Sequence, residues 1–300
     1  MEFSLAAVIS GLVVGLVVGT TGSGGGALLT PLLILALHVD AKTAVASDLV
    51  ASVFMRPVAG FVHLRRNVVH WRIVGWLVLG STPAAFAAGV VSSLLIPTSV
   101  ADRVLEPVIG GVLLLSGAAV IARRAAPSRP TGRGVAAAPV RPRPLPTALI
   151  GVAGGLAVGV TSVGAGTLML VGLALAYPAL TAFELVGTDL VQAVPLVLAA
   201  ALGHLVAGGL HVSLTAAVVA GGVPGAFLGA YLSRWVPARA LGIAVAGVIF
   251  GSGCALVGWV PGSIVGGSVA TLLAAVTWAR RRGVTLRAAL PAEEPATVQV

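Results

Sequence analysis

At 300 residues, 58% hydrophobic and 9% charged, with a mean hydropathy of +1.07, this chain lies far from soluble domains, in which about a quarter of residues are charged. Its net charge of +9 does not argue for nucleic acid, because the basic residues sit in short loops between apolar runs rather than on one face. A single cysteine, Cys254, in an apolar segment excludes an intrachain disulfide and any multi-cysteine metal site.

In chain order, apolar segments fall at residues 4–20, 27–38, 43–63, 73–92, 104–122, 146–160, 165–177, 184–207, 213–233, 240–258 and 262–279. Residues 4–18 lack a basic n-region and lead into a glycine-rich stretch rather than a processing site, so the first helix is expected to be retained. A membrane crossing needs about 20 helical residues at about 1.5 Å each. The segments beside two glycine-rich stretches fall short of that. The first stretch is Gly19-Thr20-Thr21-Gly22-Ser23-Gly24-Gly25-Gly26; the second, 140 positions later, is Gly159-Val160-Thr161-Ser162-Val163-Gly164-Ala165-Gly166. Glycine weakens the helix and frees backbone groups, which hydrocarbon tolerates only where protein or a water-filled cavity supplies partners. The short flanking segments are therefore expected to be half-helices that enter, turn at the break and return. Re-entrant hairpins and pairs of short full spans both fit.

The two breaks belong to a duplication. At an offset of 140, Gly11, Gly15, Gly19, Thr21, Gly24, Gly26 and Leu28 match Gly151, Gly155, Gly159, Thr161, Gly164, Gly166 and Leu168. At an offset of 141, Asp48, Leu49, His63, His70 and Pro83 match Asp189, Leu190, His204, His211 and Pro224. The expected organisation is repeat 1 at 4–122, a Pro- and Arg-rich cytoplasmic linker at 123–145, repeat 2 at 146–258, and an extra transmembrane helix with a cytoplasmic tail at 259–300. Placing the linker inside puts Arg65, Arg66, Arg72, the linker arginines, Arg234, Arg239 and the Arg280 cluster on the cytoplasmic side, and leaves only Lys42 and Arg103 outside. The N-terminus is then external and the C-terminus cytoplasmic. Five segments per repeat is an odd number, so the copies are inverted. Four per repeat would strand Arg234, Arg239 and the Arg280 cluster outside. The expected fold class is an all-α polytopic membrane protein built of two inverted repeats of about five helical segments, each with a glycine-broken re-entrant or short helix pair, plus one extra C-terminal helix.

Matching polar breaks in two inverted halves point to a transport site. Thr20, Thr21, Gly22, Ser23, Gly24 and Gly25 in the first break, and Thr161, Ser162, Gly164, Gly166 and Thr167 at the second, supply hydroxyls and backbone N–H groups suited to an anion. Gln192, one turn from Asp189, together with Pro195 extends the same lining. Arg56 is the one basic residue well inside a span, and its counterpart is Val197. Arginine stays charged, so at that depth it must meet an anion, an internal carboxylate or water, unless it reaches an edge. Asp48 and Asp189 either cap the broken backbone and helix starts or contact substrate or proton. His63 and His204 suit proton coupling by their titration range, although a histidine at a helix end more commonly complements terminal carbonyls. His38, His70 and His211 carry less weight.

The steps Gly11-x3-Gly15-x3-Gly19, Gly151-x3-Gly155-x3-Gly159 and Gly221-x3-Gly225-x3-Gly229 predict close helix packing. The first break is not a nucleotide loop, for no strand precedes it and no Lys-Ser/Thr follows. Nothing in the sequence calls for a metal or another cofactor, and no nucleophile and base pair suggests an enzyme. The partners expected are a small anionic substrate and the lipid bilayer, with self-association into a homo-oligomer left open.

Thr21-Gly-Ser-Gly-Gly-Gly-Ala-Leu-Leu-Thr-Pro31, Ala41-Lys-Thr-Ala-Val-Ala-Ser-Asp-Leu49, Val158-Gly-Val-Thr-Ser-Val-Gly-Ala-Gly-Thr-Leu168 and Val186-Gly-Thr-Asp-Leu190 together resemble the TauE/SafE sulfite exporter family over about residues 5–258. That resemblance implies a bacterial inner-membrane permease for small anions such as sulfite, sulfoacetate or related organic acids, coupled to the proton gradient. The rival readings are a passive anion channel and a non-transporting membrane scaffold subunit.

Overall fold

The computed structural model describes residues 2–21, 26–64, 69–125, 142–206, 210–232 and 238–259, with side-chain surroundings for all of these except 2–4, 21, 59–64, 98, 121–125, 182–183 and 238–244. Residues 126–141 of the expected linker, Arg65, Arg66, Arg234, and residues 260–300 of the added span and tail lie outside the described residues, while 123–125 continue α5 and α6 begins at Pro144.

Among the described residues the regular structure is entirely helical. The helices are α1 (Glu2–Thr21), α2 (Gly26–Leu37), α3 (Ala41–Leu64), α4 (Trp71–Leu95), α5 (Ala101–Ala125), α6 (Pro144–Thr161), α7 (Leu168–Ala176), α8 (Ala182–Val206), α9 (Val212–Leu232) and α10 (Ala238–Leu256), with a 3-10 turn at Thr98–Val100. Five stretches are long and apolar enough to cross a bilayer: Trp71–Leu95, Ala101–Val120, Pro144–Thr161, Glu184–Val206 and Val212–Leu232. At 24 residues α3 is long enough, about 36 Å, but Lys42, Asp48 and Arg56 make it polar for a span. By contrast α2 has 12 residues and α7 has 9, about 18 and 14 Å, well under the roughly 30 Å of hydrocarbon.

Surface and interior follow the membrane pattern. Leu79, Leu115, Leu149 and Phe227 are exposed, whereas Asp48, Arg56, Asp189, Gln192 and His204 are buried. Apolar side chains thus face lipid, and the costly polar groups turn inward where partners can reach them. Trp71 at the start of α4 and Tyr231 near the end of α9 are exposed at positions suited to an interfacial belt.

The helices assemble through small-residue seams. The most extensive pairings are α1 on α9 and α4 on α6, followed by α4 on α8. On α1, a β-carbon at Gly11, Gly15 or Gly19 would collide with the carbonyl oxygens of Val218, Gly222 and Ala226; across the seam, Gly221, Gly225 and Gly229 face Val8, Leu12 and Leu16 in the same way. Gly151, Gly155 and Gly159 of α6 repeat the arrangement against Leu77, Ser81 and Ala85 of α4. The packing expected from the glycine steps is present. With hydrocarbon outside, contact of this closeness supplies the dispersion energy that a hydrophobic effect cannot. The image of α1 on α9 under the repeat correspondence is α6 on α4, and both are the dominant contacts.

Helix ends explain most of the remaining charge. Asp40 Oδ1 accepts the Thr43 N–H and Asp102 Oδ1 the Ala41 N–H, each at 2.9 Å, so two carboxylates cap the start of α3. Lys42 Nζ donates to Ser93 O at 2.7 Å and Ile96 O at 2.8 Å, closing the end of α4. Thr181 and Glu184 form a capping box at the start of α8, and Glu184 also meets His70 at 3.3 Å. At the end of α2, His38 takes a left-handed φ of 51° and Val39 N–H reaches Leu33 O, a Schellman stop.

Candidate substrate site

The α6–α7 hairpin places the second break in the interior. Tyr177, just after α7, hydrogen-bonds through its hydroxyl to Arg143 N and Thr147 Oγ1 at the start of α6, which ties the base of the hairpin. At the tip, Ser162 caps α6 in the left-handed region with φ 60°, and Gly164 has φ 111°, a conformation that side chains disfavour. The N–H groups of Thr167, Leu168 and Met169 all point to Gly164 O at 3.0–3.3 Å, and Val163 N–H donates to Thr161 Oγ1. Much of the freed backbone is therefore satisfied within the break itself.

The start of α2 meets the second break. A β-carbon on Gly26, the first residue of α2, would collide with Ser162 O, so the exit of the first break abuts the tip of the second. Ser162 Oγ donates to Asp48 Oδ2 at 2.7 Å, Thr30 Oγ1 of α2 donates to the same oxygen at 2.7 Å, and Ser52 Oγ of α3 approaches Oδ1 at 3.3 Å. Asp48 thus fastens α2, α3 and the second break. Three hydroxyl donors to one fully buried carboxylate stand in for water it has lost.

On α8, Asp189 Oδ1 accepts Gln192 Nε2 at 3.1 Å; the same amide lies 2.8 Å from Met169 Sδ, and Gln192 Oε1 accepts Ser81 Oγ at 3.3 Å. Arg56, eight residues after Asp48 on α3, is 2% exposed. Its Nε and Nη1 atoms are buried and have no hydrogen-bond partner. The Thr167 hydroxyl is likewise buried and unpartnered.

The hydroxyls named from the sequence have separate assignments. Thr20 donates to Leu16 O and Val17 O, and Thr161 to Ala157 O, so both bond back to their own helices. Gly166 is half-buried at the break. Gly22, Ser23, Gly24 and Gly25 lie outside the described residues, as do the side chains of Thr21 and His63. His204 Nε2 donates to Gly159 O at 2.8 Å near the end of α6, and its Nδ1 accepts Ser93 Oγ at 2.9 Å. That geometry complements a helix-end carbonyl. Thr30, Ser52 and Ser81 were not singled out in sequence; the spacing of Ser52 one turn after Asp48 was the available signal. Among the described residues, no group of three or more His, Cys, Asp or Glu is placed to hold a metal.

The profile of a known family, Sulfite exporter TauE/SafE, matches residues 7–256. The chain belongs to this family. The "Probable membrane transporter protein YjnA" of Bacillus subtilis (strain 168) is 32% identical over 255 residues, covering 85% of this chain and all of that protein. The "Probable membrane transporter protein YdhB" of the same organism is 23% identical over 223 residues, covering 74% of this chain and 87% of its own length. No solved structure matches this chain. This TauE/SafE chain is a multi-pass membrane transporter, not an enzyme.

Proposed function

We propose that this TauE/SafE protein is a secondary carrier that moves small anions such as sulfite, sulfonates or related organic acids across the bacterial cell (inner) membrane, driven by the proton gradient. One observation carries the reading: a permanently charged guanidinium, 2% exposed, keeps Nε and Nη1 without partners on α3, eight residues beyond the Asp48 that binds the second break. A buried donor left unmade is costly, and more so when charged. An oxyanion is the ligand class that meets this demand, with the Thr167 hydroxyl available as a neutral donor. The halves act as inverted repeats about this centre, alternately opening it to each side, with the N-terminus external and the linker cytoplasmic.

The test is counterflow in liposomes holding the purified protein. Preloaded sulfite should accelerate entry of radiolabelled sulfite, a trans-stimulation that a passive channel does not show. Arg56→Gln should raise the half-saturating sulfite concentration about 10- to 100-fold, the equivalent of a charge-assisted hydrogen bond, while eluting as a monodisperse species. Exchange by Arg56→Gln at the wild-type rate and affinity would remove Arg56 from the site, and absence of counterflow in the wild type would sink the sulfite reading.

A further inference from the structure

His204 ties the second break to the end of the bundle at which α4 and α8 finish. Near the close of α8 and 2% exposed, it donates from Nε2 to Gly159 O of α6 at 2.8 Å and accepts Ser93 Oγ of α4 on Nδ1 at 2.9 Å. The backbone oxygen of the same serine accepts Lys42 Nζ of α3 at 2.7 Å. The Gly159 carbonyl is an orphan of the break. Its intrahelical donor would be Val163 N–H, which bonds Thr161 Oγ1 instead, while Ser162 N–H closes the last turn on Val158 O. His204 therefore supplies the donor that the break withdrew, three residues before the Ser162 that binds Asp48.

A carbonyl can only accept, so the hydrogen on Nε2 is fixed, and in the neutral ring Nδ1 is left as the acceptor of the Ser93 hydroxyl. Protonating Nδ1 removes that acceptor. The hydroxyl can turn to receive Nδ1–H, but a buried imidazolium then shares one serine with the Lys42 ammonium. A buried charge without a counter-charge is costly, and a like charge beside it adds to the cost. We propose that His204 is a positioning residue that works as a pH-sensitive latch: neutral, it holds the second break to α4 and α8, and uptake of one proton at Nδ1 releases the break at this end. That end is the external one in the proposed orientation. Acid outside the cell then frees the second break, and acid in the cytoplasm does not.

The other charged groups on α8 and on the helices packed against it have other positions or other bonds. From α3 come Lys42, Asp48 with its three hydroxyl donors, and Arg56 farther along; the side chain of His63 lies outside the described set. Beside Lys42, Asp40 and Asp102 cap the start of α3 through the Thr43 and Ala41 N–H groups. On α4 there is Arg72 at the opposite, exposed start, and α6 and α7 contribute none. Within α8, Asp189 lies about 22 Å back along the helix, and Glu184, farther still, pairs with His70.

The latch acts on a break that the carrier reading places beside the transport path, and the two are tested apart. Full-length protein carrying Cys254→Ala and Ser92→Cys is labelled with a maleimide in detergent; Ser92 adjoins Ser93 and is 3% exposed. With His204 intact, the labelling rate, divided by that of a free thiol at the same pH, should rise about tenfold between about pH 7.5 and about pH 5.5. That is the factor for one imidazole titrating near its ordinary value of about 6.5. His204→Gln keeps a donor and an acceptor but takes up no proton, so its rate should change by less than about twofold over the same range. A flat rate with His204 intact overturns the latch without recourse to any variant. An equal rise in His204→Gln also overturns it, because another group then carries the response. Sulfite counterflow in liposomes, with both sides at about pH 7.5, reads the carrier separately. Its absence sinks the carrier reading and leaves the latch standing, whereas counterflow with flat labelling does the reverse.

Discussion

Arg56 and Asp48 lie eight residues apart on α3, about 80° round the helix, a spacing compatible with an ion pair but not aligned for one. Their surroundings separate them. Asp48 is bound by hydroxyls from three chain segments, and Arg56 Nε and Nη1 make no bond to it. Of the three, only the Ser162 bond comes from the other repeat, and it is made from a left-handed backbone that costs a non-glycine residue about 1 kcal/mol. Ser162→Ala should therefore lower stability by about 1.5–3 kcal/mol, the worth of a hydrogen bond to a charged group. Ser162→Gly should lose less, because glycine recovers the backbone term. Thermal unfolding in detergent ranks the two. Equal losses would show that the hydroxyl, and not the backbone, accounts for everything at this position.

At the scale of elements, the glycine seams determine how closely helices approach. In the α1–α9 seam a side chain at Gly15 would strike the carbonyl of Gly222, which is backbone and cannot rotate away. Gly15→Val should prevent accumulation of folded protein or cost several kcal/mol, as overpacking does when relief requires backbone movement. Gly75 on α4 is the contrasting case, for nothing lies within 4 Å of an added β-carbon. Gly75→Ala should be neutral or stabilise by about 0.5–1 kcal/mol through helix propensity. Yield and melting temperature of the two variants decide it, and a tolerated Gly15→Val would mean that the seam is looser than its geometry.

At the scale of the whole molecule, antiparallel α3 and α8 bring the ends of the repeats to opposite faces. Lys42 and Asp102 gather at one end with the close of α4, while Arg143, His70 and Glu184 mark the starts of α6, α4 and α8 at the other. This separation makes topology measurable. With Cys254→Ala as background, Arg103→Cys should react with an impermeant maleimide in intact cells, and Arg72→Cys only after permeabilisation. The reverse pattern would invert the proposed orientation.

Much of the architecture was legible in the chain because it is local. Hydropathy, the short segments beside the glycine stretches and the four-residue glycine steps each report on a single helix, and all ten described helices begin and end within a few residues of the apolar segments. The repeat offset paired Asp48 with Asp189, but it could not show which hydroxyls reach Asp48 or that Gln192 donates to Asp189. Those partners come from elsewhere: Ser162 is 114 positions from Asp48, and Ser81 is 111 from Gln192. Sequence alone therefore determined the class, the spans, the duplication and the presence of one stranded arginine. Only the tertiary structure decided which hydroxyls serve the backbone, which bind Asp48, and that Arg56 retains unpartnered nitrogens. Helix formation depends on neighbours three and four residues away, whereas satisfying a buried charge depends on whichever chain segments the packing of the whole bundle brings within 3 Å.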